Sequence, residues 1–493
     1  MKEGNWSPFE IETGSRRLEN PKYLMLLLCI VLAASFLVIK FQILGIVGCV
    51  GLMGAGVFSY LLFRSPEIGL YTSIFLSFIL LGLGRYAKDV QVGLGLDAIL
   101  IFTYIALLFN RFKERMDWSP AKKDITYLSL IWFAYSLFEI VNPEARSFAA
   151  WFSGRSLALY MFLLVPLTLM FFHNKQKIYI FLYIWGIMSL LASLKGIMQV
   201  KFGVDYAEQG WLDEGNAKTH VLFGKLRAFS FLSDAGQFGA NQGYSAVVAL
   251  IASMASKGTL KKAFFFIVAI FALYGLIISG TRGALSVPFA GFGLFVMLRK
   301  NVVAMAIGGF LLVSLIVFFK FTTIGQGNAD IRRMRTAFDP NDASLQVRLN
   351  NQKLLRNYMA TRPFGGGIGH GGVKAQRYLP NAYLSQIPTD SWYVLIWVEL
   401  GIVGLVMHLF ILFYILIKGS YAIMFKVKDP ELKLLLSALA SGMFGIMVAS
   451  YGNAVLGQMP TNTLIYMSMA ILLNTEVLDN ETKTADLGLN PPE

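Results

Sequence analysis

Residues 391–416 read SWYVLIWVELGIVGLVMHLFILFYIL, and Glu399 is the single Asp, Glu, Lys or Arg among them. An α-helix rises about 1.5 Å per residue, so a run of this length crosses the roughly 30 Å hydrocarbon core of a bilayer. Working outward, runs of the same kind recur at 24–39, 41–63, 67–84, 92–110, 124–141, 156–172 and 178–200. They continue at 242–256, 262–279, 283–298, 302–320, 433–451 and 460–474, which makes fourteen predicted spans. The runs are continuously apolar and do not alternate, which excludes a closed β-barrel. Composition agrees: of 493 residues 56% are hydrophobic and 15% charged, and mean hydropathy is +0.59. A soluble domain carries about 25% charged residues. A soluble enzyme, a disordered chain and a disulfide scaffold are therefore excluded, and Cys29 and Cys49 lie inside apolar runs. The expected fold is an all-α integral membrane protein with about fourteen transmembrane helices.

Charge orients the spans. With the N-terminus inside, the inner segments hold 22 Lys and Arg, and the short outer connections hold 7. Positive residues in short loops stay cytoplasmic, so both termini are expected in the cytoplasm. Residues 1–23 form a cytoplasmic segment and 24–200 carry helices one to seven. Residues 201–241 form an outer loop, and 242–320 carry helices eight to eleven. Residues 321–389 form a large outer loop containing helices, and 390–474 carry the last three spans. An acidic, disordered cytoplasmic tail follows at 475–493. The large outer loop holds nine Lys and Arg against three Asp. Positive charge there opposes the insertion bias. We read this excess, and the net +14, as membrane anchoring plus an anionic partner, and not as nucleic-acid binding.

Four constellations on the outer side can carry chemistry. Ser279-Gly280-Thr281-Arg282-Gly283-Ala284 places an arginine in a tight turn between two spans. A guanidinium is a planar fork suited to phosphate oxygens, although an interfacial anchor is the plain alternative. Arg227, in Lys225-Leu226-Arg227-Ala228-Phe229-Ser230-Phe231, leads into the eighth span and would share a vestibule with Arg282 if the two spans are neighbours. Residues 344–360 are predicted to be an amphipathic helix with Arg348 and Arg356 two turns apart. Thr361-Arg362-Pro363 ends it, and Phe364-Gly365-Gly366-Gly367-Ile368-Gly369-His370-Gly371-Gly372 follows. That glycine run reads as a phosphate cradle or as a hinge; without a Gly-Lys-Ser it is not a P-loop. Finally, Asp390 lies where the loop re-enters the membrane. It is placed either to accept a proton from an alcohol or to cap the following helix. His173, His220, His370 and His408 have no metal-ligand spacing.

Taken together, these pieces resemble the O-antigen ligase and O-antigen polymerase family of integral-membrane glycosyltransferases, with a GT-C-like fold. The resemblance spans about 225–405. It rests on Arg227 to Leu232, Ser279 to Gly283, Arg348 ahead of Arg362 to Gly369, and Glu399 to Gly404. It implies a donor glycan on undecaprenyl diphosphate, with Arg227, Arg282 and Arg348 matching diphosphate-binding arginines and Arg356 and Arg362 as further loop contacts. It also implies a metal-independent, inverting transfer without a cofactor, in a bacterial inner membrane. The acceptor would be a growing glycan or a lipid A core, and a chain-length regulator would be a further partner. The family's histidine at the re-entry motif is replaced here by Asp390-Ser391-Trp392-Tyr393, so the base is either Asp390 or His370. The preferred activity is polymerisation of repeat units of an O-antigen or exopolysaccharide. Ligation to a lipid A core or a protein is the alternative. A transporter of lipid-linked sugars is the second alternative, disfavoured because the span interiors hold almost no ionisable residues.

Overall fold

The computed structural model describes residues 43–86, 92–110, 117–222, 224–300, 302–327, 329–336 and 343–486, with scattered helical residues between 25 and 40. The expected cytoplasmic segment 1–23, most of the first span and residues 487–493 lie outside the described residues. The chain divides into two compact units between Ile68 and Gly69. The first contributes α1 (Ile43–Arg64). The second opens within α2 (Glu67–Leu83).

In order come α3 (Gly93–Asn110), α4 (Asp124–Phe138), α5 (Phe148–Gly154), α6 (Ser156–Phe171), α7 (Lys175–Phe202), α8 (Tyr206–Trp211) and α9 (Ala217–His220). Then follow α10 (Ala235–Ala255), α11 (Thr259–Ile278), α12 (Ser286–Leu298), α13 (Val302–Phe321), α14 (Ala329–Arg335) and α15 (Ala343–Met359). The series closes with α16 (Tyr383–Gln386), α17 (Trp392–Phe425), α18 (Pro430–Ala449), α19 (Thr461–Leu472) and α20 (Thr475–Asp486). A small antiparallel hairpin pairs Val221 with Leu226 and Leu222 with Lys225.

Among the described residues the fourteen expected spans are not all matched by full-length helices. Among the described residues five helices are long and apolar enough to cross a membrane: Asp124–Val141, Lys175–Phe202, Thr259–Ile278, Trp392–Phe425 and Pro430–Ala449. A sixth arises if α5 and α6, bent by 41°, form one span. Five more apolar helices are only 10–17 residues long. The expected eighth span differs for a clear reason. α10 starts seven residues before 242 and carries Gln237, Asn241 and Gln242, all fully buried. It is the polar-cored centre of the bundle, packed on α7, α11, α12 and α18. Gln242 Oε1 accepts from Ser189 Oγ at 2.8 Å and Ser193 Oγ at 3.2 Å, and Trp185 Nε1 donates to Ser245 Oγ at 2.8 Å. Such interhelical bonds act where lipid supplies no hydrophobic drive.

Several connections meet at one end of the bundle. Lys175 pairs with Asp429 at 2.6 Å and Glu431 at 3.5 Å, Asp124 pairs with Lys418, and Lys123 Nζ donates to Asn474 Oδ1 at 2.7 Å. The tail was expected to be disordered, yet Thr475–Asp486 is helical. Its Leu478 is buried and Glu476 pairs with Lys426 at 2.9 Å. At the opposite end Lys195 meets Asp205 and Glu208, each at 3.1 Å, and Arg362 meets Glu144 at 3.2 Å. The arginines of interest all lie at this second end.

Candidate active site

Arg227 follows the hairpin, its backbone N–H donating to His220 O at 2.8 Å. Its guanidinium spans to the α11–α12 turn. Nε donates to Ser279 O at 3.1 Å, Nη2 to Thr281 Oγ1 at 2.9 Å and Nη1 to Thr219 O at 2.8 Å. The close approach of α10 to this turn depends on Gly239, where a Cβ would fall 2.3 Å from Ser279 Oγ. Burial pushes the Arg227 guanidinium down to about 10, with Arg333 and Arg282 adding in the same direction and Asp234 opposing. It remains a cation at neutral pH, held among other cations.

Those cations come from separate segments. Arg282 Nη1 donates to Thr336 Oγ1 at 2.6 Å, and Thr336 Oγ1 donates to Arg333 O at 2.8 Å. Gly280 has φ +56°, a conformation only glycine adopts freely. A Cβ there would lie 3.6 Å from Arg333 Nε and 3.7 Å from Arg227 Nε. Three guanidiniums therefore converge on one turn, and the sequence reading identified only two of them as ligands. Arg333 was visible only as part of a basic run on α14.

A buried arginine holds the segment that follows Arg227. Arg85, after α2, donates to Ser230 O at 2.9 Å and Ser233 O at 3.2 Å, and also to Leu232 O. It stacks over Trp211 at 4.7 Å and Phe229 at 4.6 Å. This fastens the turn that contains Ser230 at φ +53°. Burial lowers the Arg85 guanidinium to about 10, opposed by Glu208 and Asp234.

The re-entry segment stands beside this cluster. Trp392 N and Ser391 Oγ donate to Ser450 O at 2.9 and 3.3 Å, which locks the start of α17 onto the end of α18. The cap of α17 is Ser391, whose Oγ accepts from Val394 N at 3.5 Å. Asp390, expected as either cap or base, is thereby not the cap. Its Oδ2 lies 3.6 Å from Arg348 Nε, and Arg348 Nη1 lies 3.9 Å from where a Cβ on Gly452 would be. Gly452 leads to Asn453, whose Nδ2 lies 2.7 Å from a Cβ position on Gly283, beside Arg282. Arg348 and Asp390 are thus linked to the arginine turn through the α18–α19 connection.

Other candidates sit elsewhere. Residues 343–359 form the expected amphipathic helix, but Arg356 is exposed on it. Arg362 pairs with Glu144 and stacks over Tyr358 at 3.9 Å. His370 is buried with both ring nitrogens used: Nε2 accepts from Arg146 N at 3.0 Å and Nδ1 faces Ile368 O at 3.0 Å. Burial lowers its pKa, so it is held neutral. The glycine run is neither a cradle nor a free hinge. Gly366 N and Gly367 N donate to Val398 O and Glu399 O at 2.8 and 2.9 Å. A Cβ on Gly365 would lie 2.4 Å from Glu399 O, and one on Gly401, at φ +67°, would lie 1.9 Å from Pro363 O. The glycines let the loop lie directly on the α17 backbone where that helix breaks. A cavity of about 410 Å³, lined by Tyr104, Trp118, Lys122, Phe162 and Pro166 among others, holds none of these residues.

No curated protein and no solved structure matches the chain. A family model described as O-antigen ligase does match, over a segment that contains Arg282, Arg333, Arg348, His370 and Asp390. The chain has apolar helices compatible with a membrane protein, and over residues 267–409, less than half of its length, it is similar to the O-antigen ligase family.

Proposed function

We propose that this protein is a metal-independent, inverting glycosyltransferase of the bacterial inner membrane that draws glycan from an undecaprenyl-diphosphate donor. Its termini and the Lys175–Asp429 end face the cytoplasm, and the shorter apolar helices complete the set of spans. The observation that carries the reading is the meeting of Arg227, Arg282 and Arg333 at the Ser279–Arg282 turn. A leaving diphosphate develops charge as the glycosidic C–O bond breaks. Fixed cations outside bulk water stabilise that charge without reorganising.

Asp390 takes the proton of the acceptor hydroxyl while its oxygen bonds to the anomeric carbon. Undecaprenyl diphosphate leaves from the opposite face, held by the three guanidiniums, and the anomeric centre inverts. Arg348 orients the Asp390 carboxylate from 3.6 Å. The acceptor in the preferred reading is another lipid-linked repeat unit, so the product is an O-antigen or exopolysaccharide chain. The family description favours a second reading, ligation to a lipid A core or protein.

Incubating the purified protein with a lipid-linked repeat unit, and no other acceptor, tests both. A ladder of products identifies a polymerase. Product only on adding lipid A core or protein identifies a ligase. No product under either condition overturns the assignment.

A further inference from the structure

The connection between α18 and α19, residues 450–460, is the part of this end to which sequence reasoning assigned no role. Both of its ends are pinned. Ser450 O holds the start of α17, as described above. At the other end Gln458 Oε1 lies 2.9 Å from Ser233 Oγ, and Gln237 Nε2 donates to Thr461 Oγ1 at 2.7 Å and Gln458 O at 3.2 Å. Between these anchors the chain presents Gly452 and Asn453.

Asn453 reaches in two directions. Its Nδ2 lies 2.7 Å from the Cβ position of Gly283 and its Oδ1 4.0 Å from that of Gly236, while the Cβ position of the neighbouring Gly452 lies 3.9 Å from Arg348 Nη1. One pole of the site, the three-arginine turn, therefore leads through Gly283 and Asn453 to the other pole, Arg348 and Asp390. Nearby amides are committed: Gln237 and Gln458 as above, Gln199 to Glu208 Oε1 at 2.8 Å, and Asn351 to Pro388 O at 3.4 Å. Among the described residues the half-buried carboxamide of Asn453 has no hydrogen-bond partner.

We infer that Asn453 binds the first sugar of the donor, the one joined to the diphosphate. This rests on the glycosyltransferase reading above. In that reaction the group between the phosphate-binding pole and the base is the sugar ring, whose hydroxyl and acetamido groups both donate and accept. A carboxamide offers two N–H donors and a carbonyl acceptor in one plane. Asn453 is then a specificity-determining residue that distinguishes a glycan-bearing lipid from bare undecaprenyl diphosphate.

Binding separates this role from the others. The probes are undecaprenyl diphosphate and the lipid-linked glycan extracted from cells lacking this protein, in which its donor accumulates. Wild-type protein in nanodiscs should bind both, the glycan-bearing lipid about tenfold more tightly, the value of one or two hydrogen bonds. Asn453→Ala should keep wild-type affinity for undecaprenyl diphosphate, which also shows that the variant is folded, and lose the tenfold advantage. Unchanged preference in Asn453→Ala, or equal weakening for both lipids, overturns the inference. If wild-type protein binds neither lipid, the failure lies in the donor assignment beneath it.

Discussion

Replacing Asp390 with Asn separates chemistry from architecture at this site. The carboxylate contributes little to the fold. Ser391 caps α17, and the Arg348–Asp390 contact is 3.6 Å between side chains 32% and 46% exposed. Pairs this open to solvent contribute about 0–1 kcal/mol, so Asp390→Asn should melt within about 1 kcal/mol of wild type. Its effect on rate is expected to be far larger, because a positioned general base contributes about 10²–10⁴-fold. His370→Ala should show the reverse pattern. It leaves Arg146 N and Ile368 O unpaired in a buried place, at a cost of about 1–3 kcal/mol, with turnover per folded molecule retained. The assay is initial transfer rate from a lipid-linked repeat unit, beside thermal unfolding in the same detergent. Wild-type turnover in Asp390→Asn would refute the assignment of the base.

Three further outcomes are expected. Arg282→Lys and Arg333→Lys keep the charge but lose the planar fork, so each should lose at least about tenfold in rate at normal abundance; turnover of wild type should survive EDTA, and restoration by added divalent ions after chelation would show a metal requirement. Burial lowers the pKa of His370 below its ordinary value of about 6.5, so below that pH the unfolded chain binds a proton that the folded one does not. The stability that neutral His370 contributes is full above pH about 6.5 and declines as pH falls through it; melting between pH 7.5 and 5 should show this slope, reduced in His370→Gln. Finally, Gln376→Cys should label with a membrane-impermeant thiol reagent in intact spheroplasts and Lys428→Cys should not, the opposite result reversing the orientation.

The amino-acid sequence by itself determined the helical membrane class and the helix over 344–360, and it singled out Arg227 and Arg282 as candidates. Each of these is a local property. A 26-residue apolar run such as 391–416 has one way to satisfy its backbone in lipid, and an arginine in a glycine-flanked turn is recognisable from six residues. Tertiary structure decided what depends on contacts between distant segments. It showed that Arg333 shares the Gly280 turn with Arg227, that Ser391 and not Asp390 caps α17, and that Arg146 and Ile368 occupy both nitrogens of His370. It also showed that the glycines of 365–372 lie on the α17 backbone around Gly401. The same holds for α10, whose glutamines and asparagine make a poor membrane span in isolation yet form the bonded centre of the bundle. Periodicity reports which face of one element is apolar. It carries no information about which distant residue will occupy a nitrogen, a glycine's open side or the far end of a guanidinium.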